Sequence, residues 1–311
     1  MDKDAALLVE ESELGGRRPK GWSRHLLFGL GVAWSLFQLW ATELGTLDPL
    51  RLRAVHLAFA LALAFLAYPG KRGPKDRVPL LDWALALLGA LGALYVVWDY
   101  YGITQLRGGI PSDRDVVMGT LTLLVLFVAS WRVVGPALPI IASVFILYAL
   151  TGPKGLIPYT LPSWLQLHAG SQWGQLMGQL YTTAEGIWGV PLGVSATFVF
   201  LFVLFGALLE KAGAGHFFIQ AAYALLGHFR GGPAKAAVVA SALTGVVSGS
   251  SVSNTVTTGT FTIPLMKRVG YPPEKAGAVA VASAPNGPLM PPVLGAAALI
   301  LAELLNLPYS Q

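Results

Sequence analysis

The sequence predicts an all-α integral membrane protein, a multi-span helical bundle with a re-entrant helical hairpin and a discontinuous helix. Three observations lead there. Hydrophobic residues make up 54% of the 311 and charged residues 12%, against roughly 25% charged in ordinary soluble domains, and the mean hydropathy is +0.61. The apolar residues gather into runs close to the ~20 that cross a bilayer. Between two later runs lies SGSSVSNTVTTG, Ser248–Gly259, a string of hydroxyls and an amide that membrane interior tolerates only where protein or an aqueous cavity satisfies them.

The elements follow in chain order. Residues 1–22 are polar and lack the basic-then-apolar order of a cleaved signal peptide; they read as a cytoplasmic tail whose Arg17, Arg18 and Lys20 lead into the first span. Five spans are predicted at about 25–44, 52–69, 79–99, 116–134 and 136–152, and a sixth at about 190–209. Gly and Pro in the polar connectors mark the turns. The connector KRGPKDR, Lys71–Arg77, is the densest in basic residues and is assigned to the cytoplasm, which places the N-terminus there too. Residues 100–115 and 153–188 then lie outside. In the second of these, Trp164, Trp173, Tyr181 and Trp188 are expected to act as interfacial anchors.

After the sixth span, Phe217, Phe218, Ala221, Leu225 and Phe229 fall near helical spacing among His216, Gln220, His228 and Arg230, the pattern of an amphipathic helix on the cytoplasmic surface. The two histidines are separated by twelve positions without a carboxylate partner, so no metal role is assigned to them.

The run Ala236–Val247 enters from Lys235, and the run from Thr255 leaves at Lys267 and Arg268. With both flanks cytoplasmic the segment dips into the bilayer and returns, with SGSSVSN at its tip. Such tips present carbonyls and hydroxyls to a small cation and helix N-termini to an anionic group. Serine and threonine in membrane helices also bond their own i−4 carbonyls, so each hydroxyl has a purely structural alternative. A second interruption follows. A helix starting near Glu274 meets Pro285, Asn286, Gly287 and Pro288, then Pro291 and Pro292. Each proline removes a donor and disfavours helix just before it, so the helix is expected to unwind over 285–292 and restart toward Leu305. A hairpin beside a discontinuous helix is the binding-site architecture of secondary transporters.

These residues also carry a resemblance. EGIWGVPLGVSATFVFLFVLFGALLEKAGAG, FRGGPAKAAVVASALTGVVSGSSVSNTVTTGTFTIPLMKRVGYPPEKAGAV and NGPLMPPVLGAAA resemble the large membrane subunit of tripartite ATP-independent periplasmic (TRAP) transporters, most closely the fused permeases in which a small four-helix subunit precedes the large one. The resemblance implies a small-subunit-like region over 23–134, a connecting span and extracytoplasmic loop over 135–188, and the first half of a transport domain over 189–311. It implies sodium-coupled import of organic anions such as carboxylates, delivered by an extracytoplasmic binding protein of the TAXI class, at a multi-pass protein of the inner membrane. By the same resemblance the substrate and ion site comprises Ser248, Ser250, Ser251, Asn254, Thr257, Thr258, Asn286 and Gly287, with Ser250, Asn254 and Thr258 as sodium ligands. The chain departs from the familiar pattern in having Ala280 for a glutamate and Pro288 for a glutamine. Large subunits of this family carry two inverted repeats. Here the sequence runs only to just past the first broken helix, so a second chain is expected to supply the remainder, or the product is a transport-inactive scaffold.

Other classes are disfavoured. An enzyme needs a base, nucleophile or metal set within reach of one another, and the intramembrane ionisable residues Asp82, Glu210 and Glu303 have no histidine partner nearby in sequence. No cofactor is expected beyond sodium as coupling ion. The +5 formal charge lies in short clusters beside apolar runs, which set topology and do not bind nucleic acid. Absence of cysteine excludes disulfides and thiolate metal sites.

Overall fold

The computed structural model describes residues 16–70, 73–108, 110–159, 162, 164–248, 251–289, 296–305 and 307. Among these the secondary structure is helical apart from an isolated bridge between Thr151 and Ile157. Four long apolar helices come first: α1 (Trp22–Glu43), α2 (Pro49–Ala67), α3 (Leu80–Trp98) and α4 (Asp113–Val133). These, and the later stretch Val190–Leu209, are long and apolar enough to cross a membrane. Asp48 caps α2 by accepting from Leu50 N. Ser112 and Asp115 form a reciprocal capping box at the start of α4.

The span expected at 136–152 is shorter than predicted. α5 (Ala137–Leu150) has 14 residues, about 21 Å at about 1.5 Å per residue, less than a bilayer core of about 30 Å. Thr151 is already extended, and a short loop returns the chain to a parallel bridge between Thr151 and Ile157. The other elements are α6 (Trp173–Met177), α7 (Val190–Val194), a π-helical segment Ser195–Val199, α8 (Phe200–Lys211), α9 (Ala214–Leu226), α10 (Gly232–Ser248), α11 (Ser251–Arg268), α12 (Pro273–Ser283), α13 (Asn286–Leu289) and α14 (Ala296–Leu304).

The described chain forms two compact units divided between Ala196 and Thr197, within the sixth apolar stretch. In the N-terminal unit α2 and α3 pack closely through Ala54, Ala58, Ala86 and Ala93, all buried. Without a hydrophobic drive between helices in lipid, small residues let backbones approach and gain dispersion contacts. Leu57, Leu61, Phe65, Val96 and Ile103 complete this core. Gln38 on α1, His56 on α2 and Ser195 are linked through contacts of 3.2 Å on either side of the imidazole.

Two readings of this half are corrected. Tyr181 and Trp188, expected at the interface, are fully buried in the same core. The phenol of Tyr181 donates to Gly92 O at 2.6 Å, and the Trp188 indole donates to Tyr181 O at 2.6 Å. Their polar tips find backbone acceptors, so the rings can leave the interface. Trp173 donates to Thr120 Oγ1 at 2.9 Å and is half-buried, while Trp164 is exposed.

The second correction concerns Arg17, placed in a cytoplasmic tail leading into the first span. Arg17 is buried, and its guanidinium donates to Phe65 O at 2.7 Å and Pro74 O at 3.1 Å. It also pairs with Asp82, whose other oxygen lies 2.7 Å from Arg132 Nη1. Asp82 lies close in sequence to the Lys71–Arg77 cluster, but its described partners come from the N-terminal segment and α4. A carboxylate buried between two guanidiniums answers the demand that intramembrane charge be paired.

In the C-terminal unit α10 is the central helix, packed against α8, α9, α11, α12 and α13. Ala237 at its start, Met266 near the end of α11 and Ala276 on α12 form one buried cluster. The arms α10 and α11 are therefore antiparallel, with Lys235 and Lys267 at the same end. α9 exists where the amphipathic helix was predicted, but a different face packs. Ile219 and Ala222 meet Ala236 and Ala240 of α10, while Phe217, Leu225 and Phe229 are exposed. The alanines of α10 admit only a close, small-residue seam, which the phenylalanine face cannot provide.

Candidate functional site

The polar string forms the turn of a helical hairpin. α10 runs to Ser248 and α11 begins at Ser251, so the turn is narrower than the predicted SGSSVSN tip. Asn254, expected in the loop, lies in the first turn of α11 and is fully buried. In apolar surroundings a helix satisfies backbone and hydroxyls together. Thr255 Oγ1 donates to Ser251 O at 2.7 Å, Thr258 Oγ1 to Asn254 O at 2.6 Å and Thr262 Oγ1 to Thr258 O at 2.9 Å, each an i−4 back-bond.

The side chain of Asn254 is not used that way. Its Nδ2 lies 2.8 Å from Ser241 O, 3.0 Å from Ser241 Oγ and 3.1 Å from Ala284 O. Its Oδ1 lies 2.7 Å from Thr244 Oγ1, which is equally close to Ala240 O. One amide thus joins both hairpin arms to Ala284, the residue after α12 ends. The carbonyls at a helix end lack intrahelical donors, and Asn254 supplies one. The same junction needs glycine twice. A Cβ on Gly245 would stand 2.4 Å from Gly287 Cα and 2.7 Å from Asn254 Nδ2, so the two backbones touch with no room for a side chain.

The predicted site residues distribute as follows. Asn254, Thr258 and Gly287 are buried, Ser251 and Thr257 are half-buried, and Asn286 is exposed at the start of α13. Asn254 and Gly287 both adjoin Gly245. Ser248 ends α10. Ser250 lies outside the described residues, as do Pro291 and Pro292 of the predicted break. The helix ends at Ser283 as expected, but Asn286–Leu289, inside the stretch predicted to unwind, forms the four-residue helix α13, because a proline at 288 is tolerated in a first helical turn; 290–295 lie outside the described residues, and α14 follows from Ala296. Ser241, Thr244, Gly245 and Ala284 belong to the junction and were not singled out in the sequence. The signal for three of them was present in SALTG, Ser241–Gly245, which puts two hydroxyls and a glycine one to two turns before the hairpin tip.

Chemically, the junction is a set of neutral oxygens. A Thr258 hydroxyl that donates its proton to Asn254 O keeps lone pairs for a ligand, and Asn254 Oδ1 shares a single hydroxyl proton with Ala240 O, so it retains acceptor capacity. Neutral carbonyl, amide and hydroxyl oxygens fit a small hard monovalent cation. Among the described residues no group of three or more His, Cys, Asp or Glu is placed to hold a metal.

A helical hairpin joined to the end of an interrupted helix, in a chain with multiple apolar spans, is the architecture expected around a secondary transporter's binding site. The chain belongs to the family described as tripartite ATP-independent periplasmic transporter, DctM component, whose profile matches residues 121–311. Over 91 residues it is 37% identical to the C4-dicarboxylate TRAP transporter large permease protein DctM of Rhodobacter capsulatus, a match covering 29% of this chain and 21% of that one. It is likewise 37% identical over 91 residues to the protein of the same name from Pseudomonas aeruginosa, with the same two coverages. Against the sialic acid TRAP transporter permease protein SiaT of Haemophilus influenzae the identity is 33% over 91 residues, 29% of this chain and 15% of that one. The matched stretch thus spans about a fifth or less of these curated relatives. No solved structure matches the chain.

Proposed function

We propose that this chain is the permease component of a sodium-coupled secondary transporter that imports organic anions, carboxylates foremost. The observation that carries the reading is the Asn254 junction, where hairpin and broken helix share one buried amide. Sodium is held by Ser250, Asn254 and Thr258, while Ser248, Ser251, Thr257, Asn286 and Gly287 face the organic anion, whose carboxylate is drawn to the free N–H groups at the start of α11. The relatives named for C4-dicarboxylates and sialic acid agree on a carboxylate-bearing anion. An extracytoplasmic binding protein of the TAXI type delivers the substrate to the fused-type permease. Further polypeptide, in the same chain or a separate one, supplies the second hairpin. The protein resides in the inner membrane with its N-terminus in the cytoplasm.

The test is uptake into proteoliposomes containing this chain, a polypeptide bearing the second repeat and a TAXI-type binding protein. Labelled succinate or sialic acid should accumulate only under an inward sodium gradient. Uptake unchanged when choline replaces sodium rejects the coupling, and absence of uptake under every condition favours a scaffold role.

A further inference from the structure

A cleft in the N-terminal unit is not used by the transport reading. It has a volume of about 820 Å³, within the ~300–1,000 Å³ of small-molecule sites. It runs between α4 and α5 from Gly135 and Pro136 at their junction, along Phe127, Val128 and Val144, to Leu147. Leu147 is ten residues along α5 from its start, about 15 Å deep at about 1.5 Å per residue. α5 is thinly covered: Ile140, Ile141, Val144 and Leu147 are all more than half exposed. The walls are therefore a long apolar slot open at the side.

One end is charged. Arg132 lines the cleft beside Gly70, with its guanidinium over the Phe65 ring at 5.0 Å. Arg132 is paired to Asp82, but Asp82 also holds Arg17. Among the described residues two permanently charged guanidiniums thus share this carboxylate, a net positive cluster in a half-dry setting. Lys20 N bonds Asp76 O at the same end, so Lys20 joins Lys75 and Arg77 there, with Asp76 between them. An apolar slot ending at a guanidinium that shares its carboxylate with a second guanidinium is complementary to a molecule with a long hydrocarbon chain and an anionic phosphate head.

We infer that this cleft binds an anionic phospholipid of the leaflet holding the 68–79 connector, with an acyl chain between α4 and α5 and the headgroup phosphate at Arg132. Basic pockets between membrane helices recognise such headgroups, each Arg or Lys contributing about 1 kcal/mol. The inference is independent of substrate and of sodium coupling.

Native mass spectrometry of the delipidated full chain tests it, with phosphatidylglycerol, chain-matched phosphatidylcholine and inorganic phosphate as probes. Phosphatidylglycerol should be retained about fivefold over phosphatidylcholine, the ratio that ~1 kcal/mol gives, and inorganic phosphate should not bind at the same concentration. Arg132→Gln should erase the preference. Because that change also strips a partner from Asp82, Ser143→Phe, which fills the slot and spares the ion pairs, serves as the second variant and should reduce phosphatidylglycerol retention to the phosphatidylcholine level. Equal retention of both lipids by the unaltered chain, an undiminished preference in Ser143→Phe, or phosphate binding as well as the lipid would each overturn the assignment.

Discussion

Gly245→Val is expected to unfold the hairpin from the broken helix. The first carbon of any side chain at 245 would meet Gly287 Cα at 2.4 Å, and a Cβ at 287 would meet Gly245 Cα at 2.2 Å. These are backbone atoms, so no rotamer change relieves the overlap; α10 and α13 must separate. Ordinary overpacking of a core is destabilising by about 1–3 kcal/mol. Here the separation also breaks the Asn254–Ala284 bond, and a loss of about 4 kcal/mol or more is expected. Thermal melts in detergent, read by the monodisperse fraction in size-exclusion chromatography, should show Gly245→Val and Gly287→Val losing the folded species at temperatures where the unaltered chain survives. Gly277→Ala is the control. A Cβ there meets nothing within 4 Å, and alanine in a helix interior should stabilise by up to ~1 kcal/mol. Equal behaviour of the three variants would show that the 245–287 contact is absent.

Asn254→Ala is the second large effect. It leaves Ser241 Oγ without its donor, Ala284 O with only the long bond from Gly287 N at 3.4 Å, and Thr244 Oγ1 without one of its three acceptors. Orphaned buried polar groups are destabilising by about 1–3 kcal/mol each, so a total of about 2–4 kcal/mol is expected. Asn254→Asp should be worse, because an oxygen replaces Nδ2 against three oxygens, whether the acid ionises or keeps one proton. Ser241→Ala removes one acceptor among three and should be within about 1 kcal/mol of the unaltered chain. The order Ser241→Ala, Asn254→Ala, Asn254→Asp in the same melts checks this, and an Asn254→Ala as stable as the unaltered chain would remove the junction from the account.

Much of this architecture was legible because membrane helices announce themselves by length and apolarity. The four first spans and the sixth stretch lie within a few residues of their predicted bounds, and the hairpin arms follow from two apolar runs with basic flanks. The failures have a common cause: polar and aromatic residues were assigned from average preference, and tertiary partners decided otherwise. Tyr181 and Trp188 left the interface because Gly92 O and Tyr181 O accept their protons. Arg17 left the tail because Asp82 and two backbone carbonyls were within reach. Within the site, Asn254 was conspicuous as a residue, but its structural use required Ser241 and Ala284, which lie 13 positions before it and 30 after it. No local pattern announces a bond of that span. The glycine contact is equally silent, since in sequence Gly245 is only one glycine among 36.

The re-entrant course of the hairpin is tested most directly by sidedness. The chain has no cysteine, so single cysteines can be introduced at Lys235, Lys267 and Ser251 without altering a background thiol. With a membrane-impermeant maleimide on sealed, oriented vesicles, Lys235→Cys and Lys267→Cys should react from the same side. Ser251→Cys should be shielded from that side and further protected by sodium with the organic acid. Reaction of the two flanks from opposite sides, with Ser251→Cys open to bulk reagent, would contradict the account.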